Sequence, residues 1–510
     1  MLNPRPRLVF MLYAAAAVVA AVSFTLMPWW TVDDAFISYR YGSNLLFHGQ
    51  LTWNVGSESL VEGYTGIFLP LLAAGTLATG LPLLETIKLL GLLSMLGTIW
   101  MMCRTLRRLG TGPIGQGLAV LGMASTPLLY MHSISGLETI FFTFFICSAI
   151  FGFWGINLAE IGIRRSAECA IFLFMSGICR PEGILLAALV TVTLLAFSAK
   201  HRFKFSIFLQ FLPIGGALAL LVVYWFWRTA YYGNFFPNSY HAKVFDGLIN
   251  WESMLALGKF AGYYCFLPMV TGLALFFGNP RRKFRLPSAS VLVPLFFVAI
   301  CWAMYAHSNL WMNYGSRFFF PFLPLFVVGI TAFISRNWQQ IQSSESQNMG
   351  VFRKLRLLLW GFALIQVCIL GFRFRQEWTF LNYYHAIVQE ELIPVGKYLA
   401  AELDPEATVI SYMDAGAVGY YSERKIVDFG RLSDPYLART KPALPQVLDY
   451  FFSIDADAVV MTSQAENEFH YIEEAAAIVS DPRFEVFVLA RQWGNSVGFP
   501  YWQRVYLRQR

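Results

Sequence analysis

The chain has 510 residues and a formal net charge of +7, and it is 57% hydrophobic but only 14% charged. Soluble domains carry about a quarter charged residues, so this balance excludes a soluble enzyme and points to segments buried in lipid. The excess of positive charge does not indicate nucleic acid, because the basic residues flank apolar runs instead of clustering on one polar surface.

At the start, Arg5 and Arg7 precede an apolar run that ends at Pro28-Trp29-Trp30. No small-residue cleavage site follows, so the run reads as an uncleaved first span near 8–30. Further runs of spanning length lie near 84–103, 114–131, 139–158, 166–180, 183–199, 206–227, 257–278, 288–306, 318–335 and 351–372. Together they make about eleven crossings of a polytopic α-helical membrane protein. Basic clusters abut these runs at Arg104/Arg107/Arg108, Arg164/Arg165, Lys200/Arg202/Lys204, Arg281/Arg282/Lys283/Arg285 and Arg353/Lys354/Arg356. Positive residues mark cytoplasmic loops, which places the N-terminus inside and everything after 373 outside. The apolar stretch 63–80 is expected to be interfacial or re-entrant, since a full span there would turn Arg104, Arg107 and Arg108 outward. All seven cysteines fall in or beside apolar runs and no CxxC occurs, which argues against a disulfide framework or a zinc site.

Residues 1–374 thus read as a membrane domain with a long first outer loop, 31–83, and 375–510 as a small extracytoplasmic α/β domain. In that tail, Val409–Met413, Lys425–Phe429, Ala458–Met461, Glu485–Leu489 and Val505–Leu507 are predicted strands. Helices are predicted near 383–403, 434–452 and 467–479, and the alternation indicates an α/β fold.

Unusual polar residues gather in the outer loops. The first loop, read as a helix, sets Asp33, Arg40 and Asn44 on one stripe and Val32, Phe36, Tyr39 and Leu46 on another, an interfacial helix. Asp33 and Asp34 could act as a base and its support; the plainer alternative is that Thr31 caps the helix and the acids complement its dipole. Glu58 and Glu62, in a Gly- and Ser-rich stretch before Tyr64, suit sugar hydroxyls or a solvated turn. Glu138 edges a span, and Arg180 and Glu182 in Arg-Pro-Glu-Gly form either an ion pair or part of a substrate path. Asn238, His241 and Lys243 follow a run of aromatics, a mixture that fits sugar stacking and phosphate contact better than an aromatic belt alone. Trp311, Asn313, Tyr314 and Arg317 crowd the last outer loop, where Arg317 either snorkels or holds a lipid phosphate. No Walker motif, GxGxxG, HExxH or GxSxG is present.

In order, Asp-Asp-Ala-Phe-Ile-Ser-Tyr-Arg-Tyr, Val-Glu-Gly-Tyr-Thr, Gly-Leu-Glu-Thr, Arg-Pro-Glu-Gly and Pro-Asn-Ser-Tyr-His-Ala-Lys run along the membrane part. The tail adds Met413-Asp414-Ala-Gly-Ala-Val-Gly-Tyr-Tyr421 and Leu432-Ser-Asp-Pro-Tyr436. This set resembles the mycobacterial terminal arabinofuranosyltransferases and their bacterial relatives, of the GT-C glycosyltransferases. It departs at His241, where another aromatic is expected, and at Asn309, Asn313 and Ser316, where relatives carry Gly, Asp and Tyr. The resemblance implies transfer of a sugar, a pentofuranose such as arabinofuranose, from a polyprenyl-phosphate donor to an envelope polysaccharide or glycolipid. The protein would be a multi-pass protein of a bacterial inner membrane, working on its outer side among membrane lipids. Nucleotide sugars are cytoplasmic, so chemistry outside needs a donor carried by lipid. Catalysis is then expected at Asp33 and Asp34 in loop 31–83, and donor phosphate on Arg40, Lys243 and Arg317. Sugar or acceptor contacts are expected from Glu62, Tyr64, Glu138, Arg180, Glu182, Asn238, His241 and Asp414. Some relatives of the scaffold use a divalent cation, but two carboxylates are too few ligands to argue one here. A lipid-linked sugar flippase would instead place polar groups mid-membrane in both halves, often as repeats, and an assembly scaffold would not need the outer acids.

Overall fold

A computed structural model describes residues 6–509 apart from 58–59, 157, 159–160, 201–204, 246, 267–268, 272–288, 311, 344–348, 466–468 and 470–472. Glu58, Trp311, the basic residues at 202–204 and 281–285, and most of the second half of the expected span 257–278 lie outside the described residues.

The membrane part runs α1 Pro6–Leu26, α2 Asp33–His48, α3 Phe68–Ala78, α4 Leu83–Arg108, α5 Pro113–Ala124, α6 Pro127–Ile134 and α7 Thr139–Phe153. It continues as α8 Gly162–Cys179, α9 Pro181–Lys200, α10 Phe205–Tyr232, α11 Asn238–Lys243, α12 Trp251–Phe260, α13 Ala289–Ala306, α14 Leu323–Ser343 and α15 Met349–Ala386. Among the described residues, five helices are long and apolar enough by themselves to cross a membrane, and six if the bent pair α5 and α6 counts as one span. That pair corrects the continuous span expected over 114–131: the helices meet at 61°. Thr126 takes an extended conformation before Pro127, which has no N–H to continue a helix and disfavours a helical neighbour. The apolar stretch after Gly63 forms only the 11-residue α3, about 16 Å long and too short to cross.

Helix α2, expected at the membrane interface, is covered by protein over its first two and a half turns. The first part of each stripe is buried, with Phe36 and Tyr39 at 0% exposure and Asp33 and Arg40 below a tenth, whereas Leu46 near the end of the helix is exposed. Thr31 does not cap it; Val32 holds the cap position without a side-chain bond, and the Thr31 hydroxyl is buried without a partner. On one side α2 packs on α3, where Gly42 faces the Pro70 carbonyl so closely that a Cβ would fall 2.6 Å from it. The tail covers the other side, with the Tyr420 and Tyr421 rings 5.8 and 5.6 Å from Phe36.

Helix α15 has 38 residues, about 57 Å against a hydrocarbon core of about 30 Å, so it carries the chain out of the membrane. A π-helical turn, Ile387–Leu392, then joins it to α16, Ile393–Glu402. The tail's five strands are β1 Thr408–Ser411, β2 Lys425–Asp428, β3 Ala458–Ser463, β4 Phe487–Gly494 and β5 Trp502–Arg508, in the order β2-β1-β3-β5-β4. Strand β1 is parallel to both β2 and β3; β5 and β4 complete the sheet antiparallel. Alternation along the strands gives the sheet two cores. Val409, Val460 and Val505 join the core that includes Trp30 and Phe36, whereas Ile410, Val459 and Tyr506 face helices of the tail.

Candidate active site

The two adjacent aspartates at the start of α2 point to different partners. Asp33 accepts hydrogen bonds from the backbone N–H groups of Gly416 at 3.0 Å and Ala417 at 2.7 Å, the free N-terminus of helix α17, Gly416–Ser422. Gly416 is required there, because a Cβ would sit 2.1 Å from the Asp33 carbonyl oxygen. Burial first, and then the charge of Asp414, hold the Asp33 carboxyl well above the usual carboxylate range. Asp33 therefore clamps the tail to loop 31–83. Asp34 turns the other way, and its Oδ2 lies 3.2 Å from Nη1 of Arg317.

Around Arg317 the chain builds a cation cluster. The ring of Phe318 lies 5.1 Å from the Arg317 guanidinium, 5.2 Å from that of Arg180 and 5.7 Å from the Lys243 amine. Its electron-rich face helps hold three like charges together. Arg180 reaches Glu182 at 3.1 Å and Glu138 at 4.0 Å, and Glu182 accepts from the Tyr305 hydroxyl at 2.6 Å. Yet Nε and Nη1 of Arg180 remain buried without a hydrogen-bond partner. Such donors are costly to leave unmet, so they mark a place for an anion. Burial, then the Arg317 charge, pulls the Lys243 amine down to about 8. The loop before Arg317 is held in left-handed conformations at Met312, Gly315 and Ser316, with the Gly315 carbonyl 2.9 Å from Nε2 of His132. Strained backbone of this kind concentrates at functional sites.

On the tail side, Asp414 follows β1, the strand from which the chain crosses to neighbours on both sides. In α/β folds the carboxyl ends of parallel strands at such a switch point are where ligands bind. Asp414 accepts from the Tyr501 hydroxyl and, at 3.3 Å, from Gln503. Burial first, and the Asp34 charge with it, pushes its carboxyl up to about 6. The site thus has a cationic half from the membrane part and an acidic half shared with the tail, and Asp34 stands between them.

Several expected contacts are corrected. Arg40 cannot take phosphate: its guanidinium donates to the carbonyls of Trp53 (2.7 Å), Gly419 and Arg424 (2.6 Å) and to Asn54 (3.1 Å). Glu62 does not face a sugar, because Nε of Arg228 donates to its two oxygens at 3.1 and 3.0 Å in a fully buried pair. Tyr64 is buried with its hydroxyl 3.0 Å from that of Tyr232. The Asn238 amide donates to the carbonyls of Arg431, Leu432 and Asp434. His241 contacts the rings of Tyr240 and Phe236, away from the cluster. These residues form or flank the seam that joins loop 31–83 and the segment around Asn238 to the tail. Of the expected site residues, the structure gathers Asp34, Glu138, Arg180, Glu182, Lys243, Arg317 and, across from them, Asp414.

Phe318, Tyr305, His132, Tyr501 and Arg228 were not read as site or support residues. Phe318 and Tyr305 lie in apolar runs, where nothing local distinguishes a platform from a lipid-facing ring. Arg228 had a signal, since a buried Glu62 demands a buried cation. A divalent cation does not fit this donor set. Both Asp33 oxygens accept backbone N–H groups, Asp34 pairs with a guanidinium, and no group of three or more His, Cys, Asp or Glu with ligand spacing occurs among the described residues.

A family described as "Domain of unknown function (DUF8728)" matches residues 380–506, and no curated protein matches the chain. ArnT from Cupriavidus metallidurans, solved bound to undecaprenyl phosphate, is similar over 99% of this chain and 98% of its own, with 13% identity and a TM-score of 0.58. The oligosaccharyltransferase AglB from Archaeoglobus fulgidus, in complex with an inhibitory peptide and a dolichol-phosphate, covers 88% of this chain and 69% of its own, with 11% identity and a TM-score of 0.55. A second structure of the A. fulgidus enzyme, tethered to an acceptor peptide, covers 98% and 74%, with 12% identity and a TM-score of 0.54. At these identities the likeness speaks for the fold, which agrees with the apolar helices and the small C-terminal sheet. The chain is a multi-pass membrane protein with the GT-C glycosyltransferase fold.

Proposed function

We propose that this protein is a membrane glycosyltransferase that moves a sugar from a polyprenyl-phosphate donor to a hydroxyl of an envelope glycan or glycolipid. The observation that carries the reading is Asp34 paired with Arg317 at the edge of a cluster whose Arg180 has unmet donors. A donor phosphate entering there competes for Arg317 and satisfies Arg180 and Lys243. Loss of its guanidinium partner leaves Asp34 free to take a proton.

In the step, the acceptor oxygen bonds to the anomeric carbon while the bond from that carbon to the phosphate oxygen breaks. The electron pair leaves on the polyprenyl phosphate, where Arg317, Lys243 and Arg180 stabilise the growing charge. The acceptor proton passes to Asp34. Glu138 and Glu182 hold Arg180 in place, and Asp414 with Tyr501 offers contacts to the acceptor from the tail side. The prenyl chain has a matching surface: an apolar cavity of about 480 Å³ lies between α13 and α14, lined by Leu295, Val298, Trp302, Phe326 and Phe333. Trp302 is less than one turn from Tyr305, which bonds Glu182, so the cavity leads toward the cations.

The basic loops favour an orientation with the site and tail outside a bacterial inner membrane. The order of motifs along the chain favours a pentofuranose such as arabinofuranose. Purified protein in liposomes, offered a panel of polyprenyl-phosphate sugars and envelope acceptors, tests the reading. Transfer that Asp34→Asn abolishes supports it. Lipid translocation without transfer to any acceptor would replace it with a flippase.

A further inference from the structure

Helix α4 starts beside the first outer loop, where the Lys88 amine donates to the Trp29 carbonyl at 2.9 Å. From Lys88 to Arg108 the helix rises about 30 Å, the thickness of the hydrocarbon core. Its last turns therefore lie at the membrane face opposite Asp34. There, Arg104 and Arg108 of α4 and Arg165 of the first turn of α8 converge on one cavity of about 360 Å³, walled by Trp100, Phe144 and Phe172.

The three arginines are not equivalent. Arg108 is anchored, donating to the carbonyls of Phe151 at 2.7 Å and Gly152 at 3.2 Å at the end of α7. Arg104 stacks on Trp100 at 5.5 Å. Among the described residues, neither Arg104 nor Arg165 makes a hydrogen bond or ion pair with protein, and the lining acid Glu168 pairs with the exposed Arg164 at 3.4 Å. The cavity thus gathers three positive charges from two helices against the one lining carboxylate, Glu168. Its mouth continues along α4 into exposed apolar residues, Trp100, Leu96 and Leu93, which share one lipid-facing stripe.

We propose that this cavity binds the phosphate headgroup of an anionic phospholipid in the leaflet opposite the catalytic face. Arg104 and Arg165 hold the phosphate, Arg108 fixes the floor, and an acyl chain follows the stripe from Trp100 to Leu93. Basic pockets between transmembrane helices are suited to such headgroups. A free phosphate offers the same oxygens but makes no use of the apolar stripe, so the lipid is the occupant chosen. The site is independent of the glycosyl-transfer reading.

The test uses full-length protein, purified and delipidated in a neutral detergent, with retained lipid counted by native mass spectrometry. Phosphatidylglycerol is expected to bind, phosphatidylcholine not to, and inorganic phosphate at millimolar concentration not to displace it. Arg104→Gln with Arg165→Gln should weaken phosphatidylglycerol about 30-fold. Arg104→Lys with Arg165→Lys should restore most of the affinity by keeping the charge. Both pairs change partly exposed side chains without hydrogen-bond or ion-pair partners in the protein, so unchanged thermal unfolding in detergent is expected. Equal lipid retention by the glutamine variant and the unsubstituted protein, equal binding of phosphatidylcholine, or displacement by inorganic phosphate would each overturn the proposal.

Discussion

Two ion pairs, Glu62 with Arg228 and Asp34 with Arg317, use the same chemistry to opposite ends. In the seam, Glu62 and Arg228 are fully buried, and the arginine's remaining donor goes to the Phe235 carbonyl at 2.6 Å. At the site, Asp34 meets Arg317 through one contact of 3.2 Å, with Lys243 and the unmet donors of Arg180 nearby. A closed pair holds structure because nothing remains for a ligand to satisfy. An open pair invites one, because its charges are assembled but not fully bonded. The difference lies in saturation of hydrogen bonds, not in residue type.

Breaking the two pairs should therefore give different signatures. Asp34→Asn keeps the shape and removes the base, so transfer should fall about 100- to 10,000-fold while thermal unfolding in detergent stays unchanged. A parallel loss of stability would place Asp34 in the seam instead. Glu62→Gln should do the reverse: leaving Arg228 buried and unpaired costs about 3–5 kcal/mol, read as a lower unfolding temperature, with the turnover of the folded fraction retained. Selective loss of turnover with normal stability would return Glu62 to the sugar site.

Smaller effects sharpen the contrast. Asp33→Ala removes the acceptor for two N–H groups at the start of α17, a capping loss of about 1–2 kcal/mol. It should show as faster proteolysis between 403 and 424 ahead of any change in the membrane helices. Lys243 gives the pH dependence. Its amine is pulled down to about 8, so the cation is present below that pH and lost as pH rises through it. Donor KM should rise above about pH 8, and Lys243→Arg, whose charge persists to far higher pH, should flatten that limb. An unchanged limb in the arginine variant would assign it to another group.

The fold was largely legible. Apolar runs of spanning length with basic flanks, and short β-rich segments in the tail, each carry their own periodicity, and all five predicted strands have counterparts in the sheet. The 61° break between α5 and α6 was missed because hydropathy ignores what Pro127 does to the chain before it. The site was legible as a neighbourhood more than as roles. Asp34, Lys243, Arg317 and Arg180 stood out as charges beside apolar runs, and the structure brings them around Phe318. Arg40, Glu62 and Asn238 stood out equally, and they hold the seam.

By itself, the amino-acid order determined that this chain enters a membrane many times and ends in an α/β unit. Those outcomes follow from transfer free energy and local backbone preference, which act over one to twenty neighbouring residues. Which of two adjacent aspartates is clamped to the tail and which faces Arg317 was decided only in three dimensions. Asp33 meets Gly416 and Ala417 from more than 380 positions away, and a side chain's hydrogen-bonding capacity is settled by whatever distant backbone comes to rest against it.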